Sequence, residues 1–244
     1  MSEFRIILAS GSPYRASILK SLGAAIELVT PQPGLPDLVF TANAAMIFHG
    51  RAILSRFRHE QRQGEERPFQ ESLQKLDFDV EQLPEGLFFE GAGDALFCGE
   101  TLFGGYRIRS TARSLQEVGR VIDRQVIPLE LVDSRFYHLD TCFCPVTSEM
   151  AIWFPGAFDD YGQQVIREMI PDLIALNEDE AVAFAANAVV IGRHVVTNSG
   201  CPQLARELQS RGLESVDTPL GEFVKAGGSA KCLTLRLDGE DAAT

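Results

Sequence analysis

The sequence predicts an α/β chain of five pseudo-equivalent blades closed around an axis, a pseudo-symmetric propeller. Three observations carry this. Five short segments recur: Phe40-Thr-Ala-Asn43-Ala, Glu90-Gly-Ala-Gly-Asp94-Ala, His138-Leu-Asp140-Thr-Cys142, Phe184-Ala-Ala-Asn187-Ala and Ala230-Lys-Cys232-Leu. With Asn43, Asp94, Asp140, Asn187 and Cys232 as anchors, the steps are 51, 46, 47 and 45 residues, a period that marks a repeat architecture. The first and fourth copies are self-similar, FTANAAMIFHGRAIL against FAANAVVIGRHVVTN. Each copy opens an apolar strand with a short polar residue at its mouth, so the anchors should converge near the axis.

The elements follow in order. Residues 5–9 read as a buried strand. Pro13 to Leu22 reads as a helix with Ser12 as cap, Pro13 in its first position and Gly23 at its stop. Ala25–Val29 is a strand, and PQPGLPD is a turn leading into a strand at Leu38–Phe40. A hairpin follows through His49-Gly50, then a charged loop over 56–66 and a helix over 68–76. The next unit runs from Phe88 to Leu102, with a turn at Gly104-Gly105 and a helix over 111–123. Strands are expected at 136–143 and 150–153, an amphipathic helix at 160–173 and a hairpin unit at 181–196. A helix over 201–211 and strands at 213–217 and 232–237 close the chain, with a frayed tail over 238–244. No Ser/Pro-rich linker divides the chain, so 1–244 reads as one domain.

Composition narrows the function classes. The formal net charge of -12 argues against nucleic acid or an anionic membrane, which need a cationic footprint. It is compatible with a cationic substrate, although acidic balance also serves solubility. No apolar run reaches the roughly 18–20 residues of a membrane helix, and the first residues lack a secretory layout. Five cysteines without framework spacing point to a reducing, cytoplasmic compartment.

A few residues could carry chemistry. Cys232 follows Gly227-Gly228-Ser-Ala-Lys231; the glycines allow close approach of a ligand, and an adjacent lysine favours thiolate. Taken alone, a single cysteine is more often structural. Strand alternation would put His138 and Asp140 on one face, where the carboxylate could orient the imidazole or bind a cation; the competing reading is a core histidine. Glu90 and Asp94 bracket Gly91-Ala-Gly93, an arrangement that suits a metal or a guanidinium. The histidines and cysteines lack metal-ligand spacing, and Cys142-Phe-Cys144 reads better as small strand residues.

With LPDLVFTANA, FEGAGDAL, FYHLDTCF and GGSAKCLTL in this order, the chain resembles the guanidine-modifying enzyme superfamily. Its members share the pentein fold, a five-bladed α/β propeller, and include arginine deiminases, dimethylarginine dimethylaminohydrolases, dihydrolases and amidinotransferases. The resemblance spans about residues 23–237. It implies Cys232 as nucleophile, His138 as general acid/base and Glu90 as the acid that holds the guanidinium and assists proton transfer. It implies Asp140 against the guanidinium, Asp37 near the substrate amino group, Arg62 and Arg109 on the substrate carboxylate, and Asp94 as the acid ending the Glu-Gly-Gly-Asp pattern, here one residue longer.

Two departures bear on activity. Asn43 stands where deiminases and dimethylarginine hydrolases carry an aspartate, as in the dihydrolases, which take arginine past citrulline to ornithine. A neutral amide both donates to and accepts from a ureido group. At the N-terminus a Cys-Pro-Pro segment is missing, and RIILASGSPYRASILKSLG resembles the opening of Maf-type pyrophosphatases; residues 1–22 are read as an atypical strand–helix replacement. The resemblance implies an arginine-like small-molecule substrate, a covalent S-alkylthiouronium intermediate and no metal or organic cofactor. The alternatives are hydrolysis of dimethylarginine or deimination to citrulline, then an amidinotransferase or a non-catalytic binding pentein. A homo-oligomer is left open.

Overall fold

Five three-stranded sheets, each an antiparallel pair extended by a parallel third strand, make up the computed structural model, which describes residues 4–9 and 13–240. β1 (Arg5–Ala9), α1 (Pro13–Ser21) and β2 (Ala25–Val29) come first, with β1 and β2 parallel. The next blade pairs β3 (Ala45–Phe48) with β4 (Arg51–Leu54). It then passes through the short helix α2 (Glu60–Gln63) and α3 (Glu66–Lys75) to β5 (Asp79–Gln82), parallel to β4. The plan repeats as β6 (Ala95–Cys98), β7 (Thr101–Tyr106), α4 (Ala112–Ile122) and β8 (Val126–Glu130). It repeats again as β9 (Phe143–Thr147), β10 (Met150–Trp153), α5 (Asp160–Met169) and β11 (Asp172–Ala175). The helix α6 (Glu178–Val182) leads to β12 (Val189–Ile191), β13 (His194–Asn198), α7 (Pro202–Ser210) and β14 (Glu214–Thr218). After α8 (Gly221–Lys225), β15 (Leu235–Arg236) pairs antiparallel with β1, Ile6 opposite Arg236. The segment β1–α1–β2 therefore supplies the middle strand, helix and outer strand of a blade whose inner strand is β15.

Helix ends follow local chemistry. Thr111 and Ser114 form a reciprocal capping box on α4, Asp159 accepts from the Gly162 N–H on α5, and Asn177 accepts from the Glu180 N–H on α6. Apolar helix faces lie on the sheets: Phe69 and Leu73 of α3 join Phe57 and Leu54, and Leu115, Val118 and Ile122 of α4 join Phe97 and Leu102. Each such side chain, fully buried, contributes about 1.5–3 kcal/mol.

The structure corrects several expectations. Leu38–Phe40 is no strand; Pro36–Val39 is a 3₁₀ turn. Residues 136–143 do not form one strand either, because Leu139–Thr141 is a 3₁₀ turn and β9 starts at Phe143. In both places the chain turns to enter the axis, and a short apolar run does not distinguish such a turn from a strand. Gly104 and Gly105 lie inside β7, not in a turn. A side chain at Gly105 would stand 2.8 Å from the Leu139 Cβ and 3.1 Å from the Asp94 Oδ1, so the glycine answers close packing. Helix α5 stops at Met169 because Pro171 forces Ile170 into extended backbone. The strand expected from Cys232 shrinks to Leu235–Arg236. Asp238 and Glu240 are not frayed: Glu240 is buried against Lys231 and Asp238 pairs with Arg236. Residues 241–244 and the Ser12 cap lie outside the described residues.

The five recurring segments are stitched into a closed girdle. The Ala42 N–H donates to the Cys232 carbonyl at 3.0 Å, and Asn43 Nδ2 donates to the Glu90 carbonyl at 3.1 Å. The Leu139 N–H donates to Asp94 Oδ1 at 3.0 Å, and Asn187 Nδ2 donates to the Asp140 carbonyl at 2.9 Å. Asn187 Oδ1 accepts from the N–H groups of Ser229 and Cys232 at 3.0 and 3.1 Å. Every junction between neighbouring segments carries at least one of these bonds, and all five anchors are buried.

Candidate active site

One small cavity at the girdle is lined by Asp37, Asn43, Arg62, Arg109, His138 and Cys232, with Phe40, Tyr137 and Ala226 completing the wall. Six of the nine residues expected from the sequence therefore face one space. Glu90, Asp140 and Asp94 sit behind that wall, fully buried.

His138 is not on a strand; it is extended, immediately before the Leu139–Thr141 turn. Its Nε2 lies 2.6 Å from Glu90 Oε2, whereas the buried Nδ1 has no protein partner. Arg109 Nη1 reaches the same Glu90 oxygen at 3.2 Å, and its guanidinium stacks on Tyr137. Burial works against the Glu90 charge, but the hydrogen bond and charge of His138, then Arg109, outweigh it and hold the carboxyl at about 2. Burial likewise opposes charge on His138, but the carboxylates of Asp94, Glu90 and Asp140 prevail and raise its pKa. His138 and Glu90 thus form a buried hydrogen-bonded pair in which each favours the charged form of the other.

Asp140 meets the nucleophile candidate rather than the imidazole. The Cys232 thiol donates to its carboxylate, with Sγ 3.4 and 3.6 Å from the two oxygens. Burial, then the Asp140 charge, pushes the Cys232 thiol well above its ordinary pKa, and burial pushes Asp140 up to about 6. Lys231, expected to favour the thiolate, instead pairs its ammonium with Glu240 at 2.8 and 3.0 Å.

Asp94 also departs from expectation. It accepts from the Ser110 hydroxyl at 2.6 Å and from the Leu139 N–H, so it positions the segment after His138 and does not reach the cavity. Arg62 lines the cavity but is clamped by Glu65 at 2.7 Å and lies over Phe57. Its Nη1 donates to Asn43 Oδ1 at 2.9 Å. Asn43 is thereby held at both ends, by Arg62 and by the Glu90 carbonyl. Tyr137, Glu65, Ser110 and Asn187 were not among the expected site residues. The FTANA/FAANA likeness was a signal for Asn187; nothing in the local sequence marked Ser110.

Among the described residues no cluster of three or more His, Cys, Asp or Glu side chains is placed to hold a metal ion, and no helix is long and apolar enough to cross a membrane.

The family profile "N,N dimethylarginine dimethylhydrolase, eukaryotic" matches residues 15–237. The bifunctional arginine dihydrolase/ornithine cyclodeaminase AgrE of Nostoc sp. is 46% identical over 218 residues, covering 88% of this chain and 31% of that protein. The chain thus spans about a third of the length of that bifunctional relative. The N(G),N(G)-dimethylarginine dimethylaminohydrolase of Mycobacterium tuberculosis is 36% identical, over 88% of this chain and 71% of its own. A crystal structure of the N-terminal domain of ArgZ, a cyanobacterial arginine dihydrolase, has a TM-score of 0.90 at 39% identity. In it a cysteine-to-serine variant is bound to substrate, and the match covers 96% of this chain and 98% of that one. With this cavity and these likenesses, the chain belongs to the N,N-dimethylarginine dimethylhydrolase family of guanidine-modifying enzymes with the pentein fold.

Proposed function

We propose that this chain hydrolyses the guanidinium group of arginine through a covalent bond to Cys232, and that it is of the dihydrolase type. The observation that carries the reading is the convergence of Cys232, His138 and Asn43 on one cavity, with Glu90 and Asp140 directly behind it. The likeness to AgrE and ArgZ supports the dihydrolase outcome. The five free, buried cysteines suit a reducing, cytoplasmic setting.

The substrate guanidinium enters between Glu90 and Asp140 and displaces Arg109 from Glu90. Its charge offsets that of Asp140, which holds the thiol up, so the thiol proton is released to solvent and the thiolate forms when the cation is present. The sulfur attacks the guanidinium carbon. Protonated His138 delivers a proton from its unpartnered nitrogen to the departing nitrogen, and ammonia leaves. Neutral His138 then removes a proton from water, which hydrolyses the thiouronium to citrulline and frees Cys232. A second attack at the ureido carbon and a second water complete the conversion of arginine and two waters to ornithine, two ammonia and carbon dioxide. Arg109, released from Glu90, is free to meet the substrate carboxylate; Arg62 keeps Asn43 in place. Asp37 faces the substrate amino group.

The test is incubation of the purified chain with arginine and with methylated arginines, followed by product mass spectrometry and ammonia assay. Ornithine and two ammonia per arginine are expected. Citrulline as end product, or dimethylamine released from dimethylarginine faster than arginine is consumed, favours the second reading. The matched family profile and the Mycobacterium tuberculosis relative support that alternative.

A further inference from the structure

Asn187 touches both the backbone N–H and the sulfur of Cys232. It is fully buried. Its Oδ1 accepts two backbone N–H groups, from Ser229 and Cys232. That fixes the amide orientation, because a flipped amide would set its NH₂ against two donors. The NH₂ therefore faces the other way, toward the Asp140 carbonyl at 2.9 Å and the Cys232 Sγ at 3.1 Å. One side chain holds the backbone of the nucleophile and donates to its sulfur.

We propose that Asn187 is a catalytic residue, an N–H donor that stabilises the Cys232 thiolate and keeps the sulfur aligned. The proposal rests on the covalent reading of Cys232 given above. The geometry supplies the physical case. In the resting state the sulfur donates to Asp140 and accepts from Asn187. When the proton leaves, the contact with the Asp140 carboxylate becomes repulsive. The contact with Asn187 becomes a charge-assisted hydrogen bond, the stronger kind. The amide neither gains nor loses a proton, so it is ready in both states. The oxygen side of the same amide prevents the sulfur from retreating with its backbone.

The test separates the two sides of the amide. Asn187→Asp retains an oxygen for the Ser229 and Cys232 N–H groups and removes the donor to sulfur. Alkylation of Cys232 by iodoacetamide, followed across pH by peptide mass spectrometry on substrate-free protein, reads the thiolate without any arginine. The expected result is a midpoint moved up by about one pH unit, hence about tenfold slower alkylation below it, in a protein that remains folded. A carboxylate beside the sulfur raises the midpoint by its own charge as well, so the uncharged Asn187→Ser is read in the same assay. A midpoint that rises in both variants supports the donor role; an unchanged midpoint in Asn187→Ser overturns the proposal. In the wild type the Asn187 side-chain amide resonances must shift as Cys232 titrates; resonances that stay fixed also overturn it. Failure of the functional reading looks different: no turnover of any guanidino compound by the wild type, with the midpoint shift intact.

Discussion

Lys231 precedes Cys232 in the chain, yet its ammonium is held by the Glu240 carboxylate at 2.8 and 3.0 Å, with both side chains almost fully buried. It lines a separate, mostly apolar cavity with Phe97, Phe143 and Val190. Two neighbours in sequence thus serve different spaces. Truncating Glu240 to alanine leaves a buried charge unpaired, and the expected loss of stability is about 3–5 kcal/mol, read by denaturant unfolding. The double variant Lys231→Met, Glu240→Gln should leave the pH midpoint of Cys232 alkylation where it was. A large shift would restore Lys231 to the thiolate.

Cys232→Ser should abolish turnover. An arginine-like haloacetamidine should label Cys232 and spare Cys98, Cys142, Cys144 and Cys201. All four are buried, burial raises their thiol pKa values, and none lines the cavity. Even labelling across the five cysteines, measured by peptide mapping, would refute the nucleophile assignment.

Glu90 should set an acid limb in the stability profile. Its folded pKa, about 2, lies below the ordinary carboxyl value. On acidification the unfolded chain takes up the proton first, so the contribution is full above roughly pH 4.5 and is lost as pH falls towards about 2. Glu90→Gln should flatten the melting temperature over that window. It should also lower turnover by about 10²–10⁴, the usual scale of general acid–base assistance, because His138 loses its carboxylate partner. An unchanged acid limb would show that the pair is not formed in solution.

Asn43→Asp should make citrulline accumulate and bring ammonia released per arginine from two towards one. A carboxylate favours the cationic guanidinium over a neutral ureido group. The substituted oxygen would also face the Glu90 carbonyl in place of an N–H, so a lower melting temperature is expected. Unaltered product ratios in folded protein would remove Asn43 from the choice of product.

Gly93→Ala should disturb the same amide from the other side. A Cβ there would stand 2.2 Å from Asn43 Nδ2 and 3.5 Å from the His138 Cγ. Overpacking of this kind costs about 1–3 kcal/mol. The melting curve should shift down and the product ratio should move with it; wild-type values in both would refute the contact.

Much of this was legible in the sequence because the repeat is carried by polar residues at fixed intervals. Asn43, Asp94, Asp140, Asn187 and Cys232 are the girdle itself, so the period located the axis. Helices with caps, such as the one from Thr111, were readable from local chemistry. The turns at Pro36–Val39 and Leu139–Thr141 were not, because their apolar residues serve the same core whether the backbone is extended or wound. The partners of Lys231 and Arg62 were invisible for another reason. Adjacency along the chain says nothing about which carboxylate a long flexible side chain will find, and both charges are neutralised by acids that no motif marks.

The pairing of Ile6 with Arg236 has a kinetic meaning. Cys232 lies just before the strand that completes the ring, and that strand finds its partner across almost the whole chain. Contacts so distant in sequence form late, since the entropy of closing such a loop is lost before any contact compensates for it. The acids and the imidazole can gather in the blades between, but the sulfur reaches them when β15 docks on β1. Until then Cys232 is expected to react as an exposed thiol, open to oxidants and alkylating agents. After docking it is buried. Refolding monitored by general thiol reagents and by guanidine turnover should therefore run in opposite directions on a single time course.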